Sequence, residues 1–243
     1  MDVFALVGSK GGAARTTSSS LLALGLHELG LKPLHIQVVM SGCPPVLELA
    51  RDVPFTKTWI PAHACTAAAI AIRRHAAGFP QCAPVIVDLP AERIRADLVA
   101  DPDTRILLPM RDGSLEIEWA ASDYCDAEEA LAWEIQQGRI SDASRPPAWF
   151  LPVGWPASLK AGDFAAILGR FGVVVDEQRP FPIILPGALR LERLDIMDFP
   201  GGEQFFTRLE IQDVAQTLAH AVLAGTRSPL LDAISPDESE DTA

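Results

Sequence analysis

The segment Gly8-Ser9-Lys10-Gly11-Gly12-Ala13-Ala14-Arg15-Thr16-Thr17 concentrates glycines, two cations and three hydroxyls in one short stretch. It follows the apolar run Val3–Val7 and precedes a helical pattern. A glycine-rich turn between strand and helix lets backbone N–H groups converge on phosphate oxygens, and the helix N-terminus adds a partial positive charge. In such a loop a lysine reaches the β/γ-phosphates and a Ser or Thr hydroxyl binds Mg²⁺. Against the pattern GxxxxGK[ST], Gly8 and Thr16 fit. Ala14 stands where the second glycine belongs, and Arg15 replaces the lysine. A guanidinium binds phosphate well, but its planar fork is larger than an ammonium and shifts the geometry. The Ala14 Cβ is costly if that position requires a positive φ.

The elements that must position this loop alternate. Strand candidates are Val3–Val7, Leu34–Val39, Val85–Asp88, Arg105–Pro109, Ala148–Val153, Val173–Val175 and Pro182–Leu185. Several are apolar on both faces, as parallel strands covered by helices are. Helical patterns span Thr16–Leu29, His63–Ala77, Glu92–Val99, Ala127–Gln137, Leu159–Arg170 and Glu203–Leu223, the last with an apolar face at Phe206, Leu209, Val214, Leu218 and Ala221. Gly30, Gly78, Gly138 and Gly172 each stand where a glycine would stop a helix. This βα alternation predicts an α/β fold, a doubly wound, mostly parallel sheet of about seven strands flanked by helices. Residues 1–225 read as one domain and 226–243 as an acidic, flexible tail.

Composition narrows the function. The chain of 243 residues carries a net charge of −12, with Arg exceeding Lys by 16 to 4, a poor prior for binding nucleic acid. Its four cysteines are far apart, without CxxC, and imply free thiols in a reducing cytoplasm. No signal peptide and no apolar stretch near the length of a bilayer span is visible, so a cytoplasmic protein without stable membrane insertion is expected. His27, His35, His63, His75 and His220 lack metal-ligand spacing and read as packed or exposed. No GxSxG elbow accompanies Ser18-Ser19-Ser20.

Lys10-Gly11-Gly12-Ala13-Ala14-Arg15-Thr16-Thr17 resembles the deviant Walker A motif, KGGxGK[ST][ST], of the ParA/MinD-type ATPases. Leu21–Leu26 with Gly30-Leu31-Lys32-Pro33-Leu34 looks like that family's first helix, glycine stop and second strand. Val85-Ile86-Val87-Asp88-Leu89-Pro90 is similar to its Walker B strand, and Arg105–Pro109 to its next strand. By this resemblance the P-loop residues Gly8, Lys10, Gly11, Gly12, Ala13, Ala14, Arg15, Thr16 and Thr17 would hold ATP or ADP with Mg²⁺. Thr16 would coordinate the metal, Asp88 would hold its water shell, and Lys10 would reach across a homodimer to the partner's phosphates. Gln37 stands where the family has an aspartate that positions the attacking water, and Val39 replaces a second aspartate. Gln orients a water but brings no charge to polarise it, so slow or absent hydrolysis is expected.

The resemblance therefore implies a nucleotide-dependent dimer switch with a protein partner or cargo adaptor, acting in DNA partition or in positioning a cellular or secretion machine. The alternative is an inactive pseudo-ATPase serving as scaffold or regulator. A metabolic enzyme of the same P-loop branch is a third class, since fold does not fix function.

Overall fold

The computed structural model describes residues 1–9, 14–43, 45, 53–64, 68–140, 145–156, 158–174, 181–184 and 206–234. Six strands form one sheet: β1 (Val3–Leu6), β2 (Leu34–Val39), β3 (Thr56–Pro61), β4 (Val85–Asp88), β5 (Thr104–Met110) and β6 (Trp149–Pro152). Their order is β3-β2-β4-β1-β5-β6, and every neighbouring pair runs parallel. β1 and β4 lie side by side at the centre, with Leu6 opposite Asp88, as the strand patterns require. All four residues of each are buried, which explains why their sequences are apolar without alternation.

Helices cover both faces. On one side lie α1 (Arg15–Glu28), α6 (Leu209–Gly225) and α7 (Leu230–Ile234), packed with Phe4, Leu6, Ile86 and Leu107. On the other lie α2 (Ala68–Ala76), α3 (Ala96–Ala100), α4 (Ser114–Gln136) and α5 (Ala161–Gly169), packed with Val3, Ala5, Val85 and Ile106. The alternation of Phe4 and Ala5 between these two cores is the two-residue period of a strand. α1 is buried continuously from Thr17 to Leu26, wedged between the sheet and α6. Gly25 permits that approach, since a Cβ there would sit 1.9 Å from the Ala215 carbonyl oxygen.

Several expectations change. β3 was not foreseen: its Thr-Lys-Thr-Trp-Ile-Pro sequence belongs to a half-exposed edge strand. Val173 and Val174 are not strand, and the rest of that candidate, Val175, lies outside the described residues. Of Pro182–Leu185, Ile183 makes only a single bridge to Phe150, and Leu185 is outside the described residues. α4 begins at Ser114 rather than Ala127, because Leu115-Glu116-Ile117-Glu118-Trp119 alternates with a strand-like period. α6 turns Ile211, Ala215, Leu218, Ala219 and Val222 inward, whereas Leu209 is 76% exposed. The start of the expected tail carries buried Thr226 and Ser228, and the Ser228 hydroxyl donates to Asp2 Oδ2 at 2.7 Å. Residues 235–243 lie outside the described residues.

Candidate functional site

Three strands and one helix end bring the site together at the C-terminal edge of the sheet, where parallel α/β sheets bind ligands. β4 ends in Asp88, which is 4% exposed. β2 places Gln37 directly across from it in the ladder. α1 begins with Arg15, Thr16 and Thr17 just beyond the loop that leaves β1. Gly8 and Ser9 open that loop, while Lys10, Gly11, Gly12 and Ala13 lie outside the described residues.

Asp88 is the hub. Its Oδ2 accepts a hydrogen bond from the Thr16 hydroxyl at 2.7 Å and another from Gln37 Nε2 at 3.2 Å. Burial raises the Asp88 pKa above the ordinary carboxylate value, opposed by the Thr16 bond, the Arg15 charge and the Gln37 bond. The Gln37 Oε1 atom is buried and has no hydrogen-bond partner. Because the Thr16 hydroxyl spends its proton on Asp88, its lone pairs are available to a cation.

These groups fit a phosphate-bound Mg²⁺. A hard cation beside Asp88 relieves the desolvated carboxylate and takes a hydroxyl oxygen as ligand. Among the described residues no group of three or more His, Cys, Asp or Glu forms a metal cage. A cation held by Thr16 and Asp88 would complete its shell with water and phosphate oxygens, as Mg²⁺ commonly does.

The loop end differs. Ala14 adopts φ 60° and ψ 25°, the left-handed conformation that favours glycine, so the feared cost of its Cβ is realised. Arg15 folds back, its Nη1 donating to the Gly8 carbonyl at 2.7 Å. Burial lowers the Arg15 pKa, while Asp88, Asp123 and Glu92 oppose that shift. The cation thus ties the start of the loop to the first turn of α1 as well as facing the site.

Sequence reasoning missed two supports. Asp123, buried on α4, accepts from both the backbone N–H and the hydroxyl of Ser9 through one oxygen, at 2.9 and 3.1 Å. Its pKa is raised by burial, offset by the two Ser9 bonds. With α4 extended back to Ser114, Asp123 falls between inward-facing Ala120 and Ala127, and the pattern would have shown it. The second support is His35 on β2, fully buried, with Nε2 2.9 Å from the Ser19 hydroxyl. Ser19 donates to the Thr16 carbonyl at 3.0 Å, so His35 acts as the donor to Ser19 and fixes the first turn of α1. Burial, with Lys57 nearby, pushes the His35 pKa down to about 3, keeping it neutral.

The sheet order and the flanking helices give a doubly wound α/β fold of the P-loop NTPase-like kind. No family model matches the sequence, and no curated protein does. Solved structures do. MinD, a cell division protein of Aquifex aeolicus, superposes with a TM-score of 0.55 at 14% identity, covering 92% of this chain and 98% of that one. The MinC:MinD complex of the same organism gives 0.54 at 15% identity, covering 92% and 96%. The architecture expected from the ParA/MinD resemblance is the architecture observed.

Proposed function

We propose that this chain is a ParA/MinD-like nucleotide-binding switch with impaired hydrolysis, built on residues 1–225 and working in the cytoplasm. The observation that carries this reading is the Thr16–Asp88 hydrogen bond, joined by Gln37, at the edge of the central strands. In this reading Thr16 and Asp88 hold the Mg²⁺ of ATP or ADP, and Gly8 through Thr17 cradle the phosphates. Bound Mg²⁺ supplies charge neutralisation at the phosphates. Gln37 orients a water by its amide oxygen without polarising it, so turnover is slow. Lys10 contacts the second copy of a homodimer, and a protein partner or cargo adaptor reads the dimer during DNA partition or the positioning of a cellular or secretion machine. That MinD is solved in complex with MinC supports a protein partner. Direct contact with DNA is disfavoured by the net charge of −12.

Calorimetry with ATP and ADP, each with Mg²⁺ and with a chelator, tests binding. Sedimentation with and without a non-hydrolysable ATP analogue tests assembly, and Lys10→Ala weakens the dimer without unfolding the monomer. Phosphate release in the isolated protein is expected to be very slow, since losing one transition-state contact costs about a hundredfold or more. Brisk hydrolysis would overturn the impairment.

Ala14 at φ 60° and Arg15 turned onto Gly8 favour a second reading, a pseudo-ATPase scaffold. It takes over if neither the wild type nor Ala14→Gly with Arg15→Lys binds nucleotide.

A further inference from the structure

A cavity of about 260 Å³ is lined by neither Thr16 nor Asp88. It is bounded by α4, by Ser9 at the start of the loop, and by Arg93 in the segment after β4. α4 brings Glu118, Ser122 and Asp126 to it at four-residue spacing, with Trp119 and Asp123 beside them, so its wall is one helical face. Drug-sized sites enclose roughly 300–1,000 Å³, so this one suits a molecule the size of an amino acid rather than a nucleotide.

Its charges are unmatched within the protein. Glu118, Asp123 and Asp126 share the cavity with one guanidinium, Arg93, yet no hydrogen bond or ion pair joins Arg93, Glu118 or Asp126 to another described residue. Asp123 is 3% exposed and gives only Oδ2 to Ser9; among the described residues no donor meets its Oδ1. Burial raises the Asp123 pKa, and the charge of Asp126 one turn away raises it further, against the Ser9 bonds. A cation between these two carboxylates relieves both the desolvation and the repulsion. A compact metal ion is poorly served, because among the described residues no three such side chains converge into a metal cage. A molecule that spreads its charge along its length is better served. Trp119, 42% exposed, gives methylenes an apolar face and a cation a π face. A simple amine satisfies the carboxylates but sets positive charge against Arg93. Two cationic groups and one carboxylate satisfy the whole wall, the carboxylate taking the paired N–H donors of the Arg93 fork.

We infer that this cavity binds a free amino acid with a basic side chain, its α-carboxylate on Arg93 and its two cationic groups on Asp123, Asp126 and Glu118. The Ser9 hydroxyl, whose proton goes to Asp123, keeps lone pairs that accept from the ligand's ammonium. The site stands whether or not the neighbouring loop takes a phosphate, and its test needs no nucleotide.

The test titrates the full chain, without nucleotide and at low salt, with L-arginine and L-lysine by calorimetry. Agmatine, which is arginine without its carboxylate, and norleucine, which lacks the side-chain cation, serve as controls. Wild-type protein is expected to bind arginine or lysine at one saturable site, and each control at least about tenfold more weakly, the scale of one lost charged hydrogen bond. Arg93→Ala should weaken arginine at least about tenfold and leave agmatine unchanged, whereas Asp126→Asn should weaken both. Thermal melting like that of the wild type confirms that each variant is folded. Trp119→Phe should remove the change in indole fluorescence that arginine produces in the wild type. The inference is overturned if neither arginine nor lysine saturates a site below about 10 mM. Agmatine or norleucine binding as tightly as arginine overturns it too, because the carboxylate or the second cation would then contribute nothing. Arginine binding that survives Arg93→Ala unchanged places the ligand elsewhere and overturns it as well.

Discussion

Two helices flanking the central strands, α1 and α4, have opposite characters. α1 is enclosed by sheet and α6, closed at Gly25 against Ala215, and anchored through Ser19 to His35. α4 is pinned by its inward face alone and shows solvent a row of carboxylates and indoles. The helix that positions Thr16 must hold a hydroxyl to within hydrogen-bonding tolerance of Asp88, and all-round packing does so. The helix that touches the loop from outside does so through Asp123 and leaves Leu115, Trp119 and Trp133 exposed.

This contrast has measurable consequences. Gly25→Ala drives a methyl into the Ala215 carbonyl and should cost about 3 kcal/mol by urea denaturation. A loss under about 0.5 kcal/mol would mean that α1 and α6 separate easily and that the contrast is weak. Asp88→Ala should cost about 2 kcal/mol, since it leaves the buried Gln37 amide with no acceptor, and should abolish Mg²⁺-dependent nucleotide binding by calorimetry.

The pH dependence separates the buried groups that support these helices. His35 has a depressed folded pKa, so its contribution is present above the unfolded value of 6.5 and is lost as pH falls toward about 3. Asp88 and Asp123, raised by burial, act oppositely: their contribution is present at low pH and is lost as pH rises through their folded values. His35→Gln keeps a donor for Ser19 and should flatten the loss between pH 6.5 and 3, on the order of a few kcal/mol in denaturation curves. An unaltered slope would show that His35 does not govern acid stability. On α4, Glu129→Lys should shift stability by no more than about 0.5 kcal/mol, in the stabilising direction, by removing like-charge repulsion. A large loss there would show the outer face to be structurally committed.

Much of this was legible in the sequence, for identifiable reasons. β1, β2 and β4 are buried on both faces, so their apolar runs are unambiguous, and the strand-loop-helix order then puts Thr16 near Asp88. Edge strand β3 was not legible, because half-exposure admits Thr and Lys and erases the apolar run. Asp123 and His35 escaped because each works through another residue: Ser9 for one, Ser19 for the other. A carboxylate within an acidic helix and a lone histidine in a strand carry no motif. Burial reveals His35, whereas Asp123 shows in the helical pattern once α4 is extended back to Ser114. Conversely, Ala14 showed in the sequence as a departure, and its φ of 60° turned that departure into a local strain.

The bond from Arg15 to the Gly8 carbonyl also sets a threshold. A phosphate that needs the Nη1 hydrogen Arg15 gives to Gly8 competes with that carbonyl, so its observed affinity is the intrinsic one multiplied by the fraction of molecules in which that hydrogen is released. If the inward state outweighs the released one by tenfold, about ten times more ligand is needed for the same occupancy. The loop is in effect its own competitive inhibitor, at an effective concentration that no dilution lowers.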